Sequence, residues 1–118
     1  MSLARVTARP LTPEQTASLV NKLVSEVCVV DGLKKIILIG SAAEGRMSEA
    51  SDIDLVLIFE SKDALAQGRK KVHLLRKPPL WPCDLLCVDE PTYAEKALVG
   101  GIFFVAREEG KVVWEVKP

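Results

Sequence analysis

The residues best suited to chemistry lie in one stretch: Gly40-Ser41-Ala42-Ala43-Glu44-Gly45, followed by Ser51-Asp52-Ile53-Asp54-Leu55. A glycine at the end of an apolar run lets the backbone approach a ligand with no side chain in the way. Ser41 adds a hydroxyl and an N–H. If residues 41–45 open a short helix, their unpaired N–H groups point at one place and favour an anion such as phosphate. Asp52 and Asp54, two residues apart at the start of a strand, present their side chains on one face. Carboxylates held side by side repel, so the pair requires a cation. Mg²⁺ is the natural one, a hard ion that takes carboxylates, water and substrate phosphates. A phosphate cradle beside a metal-binding carboxylate pair is what phosphoryl or nucleotidyl transfer needs. Taken singly, Gly40-Ser41 reads as an ordinary turn and Ser51-Asp52 as an ordinary cap. Their conjunction after a buried strand is what makes the pattern specific.

The elements that must position these groups follow from the flanking sequence. Thr12-Pro13-Glu14-Gln15 is a helix start, with Thr12 as cap, Pro13 at the first helical position and Gln15 completing a capping box. Leu19, Val20, Leu23, Val24 and Val27 follow at helical spacing, and the helix ends before Asp31-Gly32. Ile36-Ile37-Leu38-Ile39 suits a buried strand that Gly40-Ser41 breaks, and Ile53 to Phe59 is a second strand. Lys62 to Lys77 reads as a helix with a basic, solvated face, ended by Pro78-Pro79. Cys83 to Val88 reads as a third strand, Thr92 to Val99 and Ile102 to Glu108 as helices, and Val112 to Val116 as a last strand. This order argues against a doubly wound sheet. It predicts a single α+β domain over residues 1–118, a mixed sheet with helices mainly on one face and the other face free for chemistry.

The pattern G-S-x-A-x-G followed by S-D-x-D-L resembles the nucleotidyltransferases of the DNA polymerase beta superfamily, most closely the small stand-alone kind called minimal nucleotidyltransferases. The resemblance runs from the first helix to about Glu115, and only Gly40 to Leu55 is highly specific. It implies a polymerase beta palm-like fold, in which Gly40 and Ser41, with Gly45, Arg46 and Ser51 around them, hold a nucleoside triphosphate. It also implies that Asp52 and Asp54 hold a two-metal Mg²⁺ site. The family's third carboxylate comes from a later strand, and Asp84 fits it best. Asp89 is the rival, read instead as a strand-terminating aspartate before Pro91. Two departures stand out: Ala42 and Glu44 occupy positions where many members carry arginine, with Arg46 as the nearest replacement charge. The implied reaction moves a nucleoside monophosphate, AMP from ATP or its equivalent from another triphosphate, to an acceptor hydroxyl. Proteins resembling this one are often paired with a small helical HEPN protein as toxin–antitoxin systems, the nucleotidyltransferase transferring AMP to a tyrosine of the toxin.

Composition bounds the remaining readings. The chain has 118 residues, 48% of them hydrophobic, with 16 basic and 16 acidic side chains. Balanced charge speaks against a dedicated nucleic-acid binder. The stripe Arg69, Lys70, Lys71, Arg76 and Lys77 is read as a solvated helix face. No apolar run approaches the roughly 20 residues of a membrane helix, and the N-terminus lacks the apolar core of a signal peptide, so a cytoplasmic location is expected. Cys28, Cys83 and Cys87 with the single His73 do not make a zinc set and are read as small hydrophobes. The chain leaves no room for a second lobe, so the acceptor site is expected from a helical partner protein or from a second copy. A binding module that acts by contact alone is the alternative. The run Ile102-Phe103-Phe104-Val105 is read as core, with a partner-facing patch as the other reading, and Tyr93 as a surface helix tyrosine.

Overall fold

The computed structural model describes residues 8–75 and 81–117. Helix α1 (Pro13–Val27) starts at the expected box: the Gln15 N–H donates to Thr12 Oγ1 at 3.1 Å, and the Thr12 N–H donates to Gln15 Oε1 at 2.9 Å. Its stripe Val20, Leu23, Val24 and Val27 is buried. Strand β1 (Leu33–Ile39) begins ahead of the apolar run, because Lys34 and Lys35 keep their side chains partly in water while the backbone pairs. A single turn, α2 (Gly40–Ala43), leads towards β2 (Ile53–Phe59). Then come α3 (Lys62–Leu75), β3 (Cys83–Asp89), α4 (Glu90–Lys96), α5 (Gly101–Glu109) and β4 (Lys111–Glu115). Arg76 and Lys77, expected at the end of α3, lie outside the described residues. No helix among the described residues is long and apolar enough to cross a membrane.

The four strands form a mixed sheet in the order β3-β2-β1-β4. Strand β1 is antiparallel to both β2 and β4, whereas β2 and β3 are parallel and joined through α3. Strand β2 is central, and every residue from Leu55 to Phe59 is buried, which accounts for its unbroken apolar run. On one face Ile36, Leu38, Leu55, Leu57 and Phe59 pack with the α1 stripe and Val72 of α3. Gly68 of α3 is needed there: a Cβ at this position would run into the Phe59 ring.

The second face is not free, contrary to the expectation from element order. Ile37, Ile39, Val56, Ile58 and Val88 gather there against Ala106 of α5, with Phe103 and Tyr93 at the margin. So many aliphatic side chains on one face are too much apolar surface to leave in water, and the two short helices cover them. The longer helices, α1 and α3, do share one face. What stays open on the second face is the end where Ile39, Asp54 and Asp84 stand side by side in register. The run from Ile102 to Val105 is also corrected: Phe103 packs inward, but Ile102, Phe104 and Val105 are 44%, 39% and 38% exposed. Helix α5 turns the i, i+3 pair Phe103 and Ala106 toward the sheet.

Candidate active site

Gly40 ends β1 with φ +75°, a left-handed conformation that a side chain would strain. A Cβ on Gly40 would sit 2.6 Å from Asp54 Oδ2. The glycine thus both turns the chain and leaves room for the carboxylate on the neighbouring strand. Ser41 follows, half-buried, in the single turn of α2. The Glu44 N–H closes that turn on the Gly40 carbonyl at 3.1 Å and the Arg46 N–H bonds the Ser41 carbonyl at 2.8 Å. The earlier N–H groups of such a turn have no partner within it. Ala42 and Ala43 are buried against the core.

Arg46 does not supply a free charge: its Nη2 lies 2.6 Å from Glu44 Oε1, and both side chains are exposed. The cation is neutralised by its neighbour two residues back. Gly45, also left-handed at φ +74°, has nothing within 4 Å of where a Cβ would stand.

The carboxylates come together across two strands. Asp54 and Asp84 are register partners in the parallel β2–β3 pair. The Asp54 carboxyl is pushed above its ordinary value, first by burial, then by the charges of Asp84 and Asp52 and by a hydrogen bond with Asp84. Asp52 is exposed and precedes the strand, which begins at Ile53. It contributes charge at Asp54, but no three His, Cys, Asp or Glu side chains among the described residues close into a ligand set as they stand. The chemistry of the donors nonetheless fits Mg²⁺. They are hard oxygens of like charge, and the upward pressure on Asp54 includes the repulsion that a cation relieves.

The loop before Asp52, whose Ser51 the resemblance assigned to the triphosphate, is tied down by contacts that the sequence did not reveal. The Trp81 indole N–H donates to the Ser51 carbonyl at 2.9 Å, and the Ser48 N–H donates to Ser51 Oγ at 2.9 Å. Buried Met47 and the bond from the Leu11 N–H to its carbonyl at 2.9 Å anchor the same loop to the segment before α1. Ser51 spends its hydroxyl and carbonyl on this scaffold. A tryptophan two residues before a strand was the only signal.

The remaining polar groups take structural places. Asp89 caps α4: Oδ1 accepts the Thr92 N–H and Oδ2 the Thr92 hydroxyl, each at 2.9 Å. Those bonds hold its carboxyl below the ordinary value although burial opposes them. Cys83 is buried and Cys87 half-buried, and burial raises the Cys87 thiol while Arg69 pulls the other way. Tyr93 is packed edge-on against Phe103 at 5.9 Å rather than lying free on the surface. His73, Arg69, Lys70 and Lys71 are exposed, Lys71 reaching Asp31 at 3.7 Å.

A mixed sheet with a glycine-led turn at one strand end and carboxylates on the two strands beside it is the frame of a nucleotidyl-transfer domain. Residues 20–107 match the family model of the nucleotidyltransferase domain. The chain belongs to that family. Among solved structures, a proposed nucleotidyltransferase from Sulfolobus solfataricus is similar, with a TM-score of 0.58 and 21% identity over 87% of this chain and 83% of that one. At that identity the likeness concerns the fold. No protein of curated function matches the chain.

Proposed function

We propose that the chain transfers a nucleoside monophosphate, AMP from ATP, to a hydroxyl on a partner protein, with Mg²⁺ held by Asp52, Asp54 and Asp84. The observation that carries this reading is the juxtaposition of Gly40, Asp54 and Asp84, a backbone turn stripped of side chain against a carboxylate pair. The N–H groups and hydroxyl at Ser41 hold the triphosphate beside that pair, with Gly45 and Arg46 at the outer end of the turn. Bound Mg²⁺ supplies neutralisation of charge on the triphosphate and on the departing pyrophosphate. The acceptor oxygen bonds to the α-phosphorus, the bond from that phosphorus to the β-phosphate bridge breaks, and pyrophosphate leaves. Asp84 Oδ takes the acceptor's proton and gives it to water. Asp54, half-buried between Asp84 and the turn, orients both.

The balanced charge of 16 basic and 16 acidic side chains favours a protein acceptor over nucleic acid, which needs a broad basic surface. A HEPN-like helical protein is the partner that the sequence resemblance favours. The test uses ATP labelled on either the α- or the γ-phosphate, with Mg²⁺, and three acceptors in parallel: the protein encoded beside this one, RNA, and an aminoglycoside. The α-label is expected on the protein and the γ-label in pyrophosphate. Transfer of the γ-label would make the chain a kinase. Label on RNA or drug alone would overturn the acceptor, and nucleotide binding with no transfer anywhere would leave a contact-only module.

A further inference from the structure

The two edges of the sheet are built differently. Strand β4 is short, starts on Lys111 and shifts register against β1 between Ile36 and Ile37. A bulge and a lysine are devices that discourage another strand from pairing. Strand β3 has neither. Its seven residues pair with β2 without irregularity from Cys83 to Asp89, and it carries no lysine or proline. The Ile53 N–H donates to the Pro82 carbonyl at 3.0 Å. By the alternation of a parallel ladder, Asp84, Leu86 and Val88 turn their backbone groups to β2, and Leu85 and Cys87 turn theirs outward. Arg69 of α3 agrees with this direction, since its Nη2 reaches the Cys87 carbonyl at a long 3.4 Å. Between α3 and this edge runs a groove of about 400 Å³ lined by Arg69, Val72, His73, Leu85, Leu86 and Cys87.

We propose that the edge of β3 at Leu85 and Cys87, which no strand among the described residues pairs, is the acceptor-docking site, and that it takes an extended, acidic segment of a protein as a fifth strand. This rests on the transferase reading above and names how its substrate is held. Main-chain bonds to Leu85 and Cys87 fix the segment, as in other strand additions. Side chains then alternate. Those on the Leu85 side lie over the groove, where the Arg69 guanidinium favours carboxylates, and the weak Arg69–Cys87 bond is readily exchanged for a charged one. Those on the other side stand next to Asp84, about 5 Å away between Cβ atoms. A tyrosine, serine or threonine at that position meets the proton acceptor of the transfer step. The same edge thus selects the acceptor and aims its hydroxyl.

The test uses acetyl-Val-Glu-Val-Glu-Tyr-Glu-Val-Glu-Val-amide and its Glu-to-Lys counterpart. Amide hydrogen exchange is read by NMR on the nucleotide-free protein. The acidic peptide is expected to slow exchange at Leu85 and Cys87 at least tenfold, with β4 unchanged, and the basic peptide to leave all four strands unaltered. Arg69→Glu, an exposed change checked for fold by circular dichroism, is expected to abolish the effect of the acidic peptide. Absence of protection by the acidic peptide, or equal protection by both peptides, overturns the proposal. Adding ATP labelled on the α-phosphate and Mg²⁺ separates the two readings. Protection without labelling of the tyrosine upholds the docking edge and counts against transfer. Labelling without protection upholds transfer and overturns the edge.

Discussion

Gly40→Ala and Gly45→Ala form a matched pair that separates backbone strain from damage to the site. Both glycines are left-handed, at φ +75° and +74°. An alanine there costs about 1–2 kcal/mol of conformational strain in each case. In a domain of 118 residues that lowers Tm by roughly 4–8 °C. The surroundings differ. A new Cβ at position 45 would meet nothing within 4 Å, whereas one at position 40 would stand 2.6 Å from Asp54 Oδ2. A carboxylate tip can swing aside, so the clash adds little to the stability loss. It moves the reacting geometry by about 1 Å, a displacement worth on the order of 100-fold in rate. Thermal melts followed by label transfer from ATP to the acceptor read both quantities. The two variants are expected to melt within about 2 °C of each other. Only Gly40→Ala should lose kcat, while Gly45→Ala changes KM a few-fold at most. Equal loss of kcat in both, or none in Gly40→Ala, would refute the role given to the Gly40–Asp54 contact.

Asp54 titrates above its ordinary value of 3.8 because of burial and the charges of Asp84 and Asp52. The native state therefore holds that proton more tightly than the unfolded chain, and its contribution to stability is full below pH 3.8 and lost as pH rises through the raised value. Asp84→Asn is expected to raise the Tm of the metal-free protein at neutral pH and to remove the increment that Mg²⁺ gives the parent; a drop in Tm with the Mg²⁺ increment intact contradicts this. Asp89 has the opposite sign: its lowered carboxyl stabilises above pH 3.8, and that contribution is lost as pH falls through the depressed value. Asp89→Ala should lower Tm at pH 7, approach the parent in acid and leave nucleotide binding unchanged, in melts run from about pH 2 to 7. Gly68→Ala forces a Cβ into a ring with no freedom to move, since Phe59 is fully buried. A loss of about 2–3 kcal/mol or more by urea titration is expected, and a loss under about 0.5 would mean the helix can shift.

The strands that frame the site were legible because their signals are local. Ile53 to Phe59 is bounded by polar residues at both ends, and the Thr12–Gln15 box fixes the start of α1. Asp84 was named because the family resemblance implies a third carboxylate on a later strand, and parallel register brings it opposite Asp54. The parts missed are those set by contacts distant in sequence or by side-chain choice. Nothing local shows that Trp81 bonds to Ser51 or that Glu44 occupies Arg46. The periodicity of Ile102 to Val105 did not reveal which side would face the sheet. Nor could the alternation of β1 and β2 reveal what would cover their second face, since β2 is apolar on both.

Gly40, Ser41 and the three aspartates are proposed to form one Mg²⁺-dependent triphosphate site. Calorimetric titration of ATP into the parent and into Asp54→Asn, each with Mg²⁺ and with chelator, tests it most directly. Binding is expected only in the parent with Mg²⁺, while circular dichroism shows the variant folded. ATP binding of equal strength in all four titrations would contradict the account.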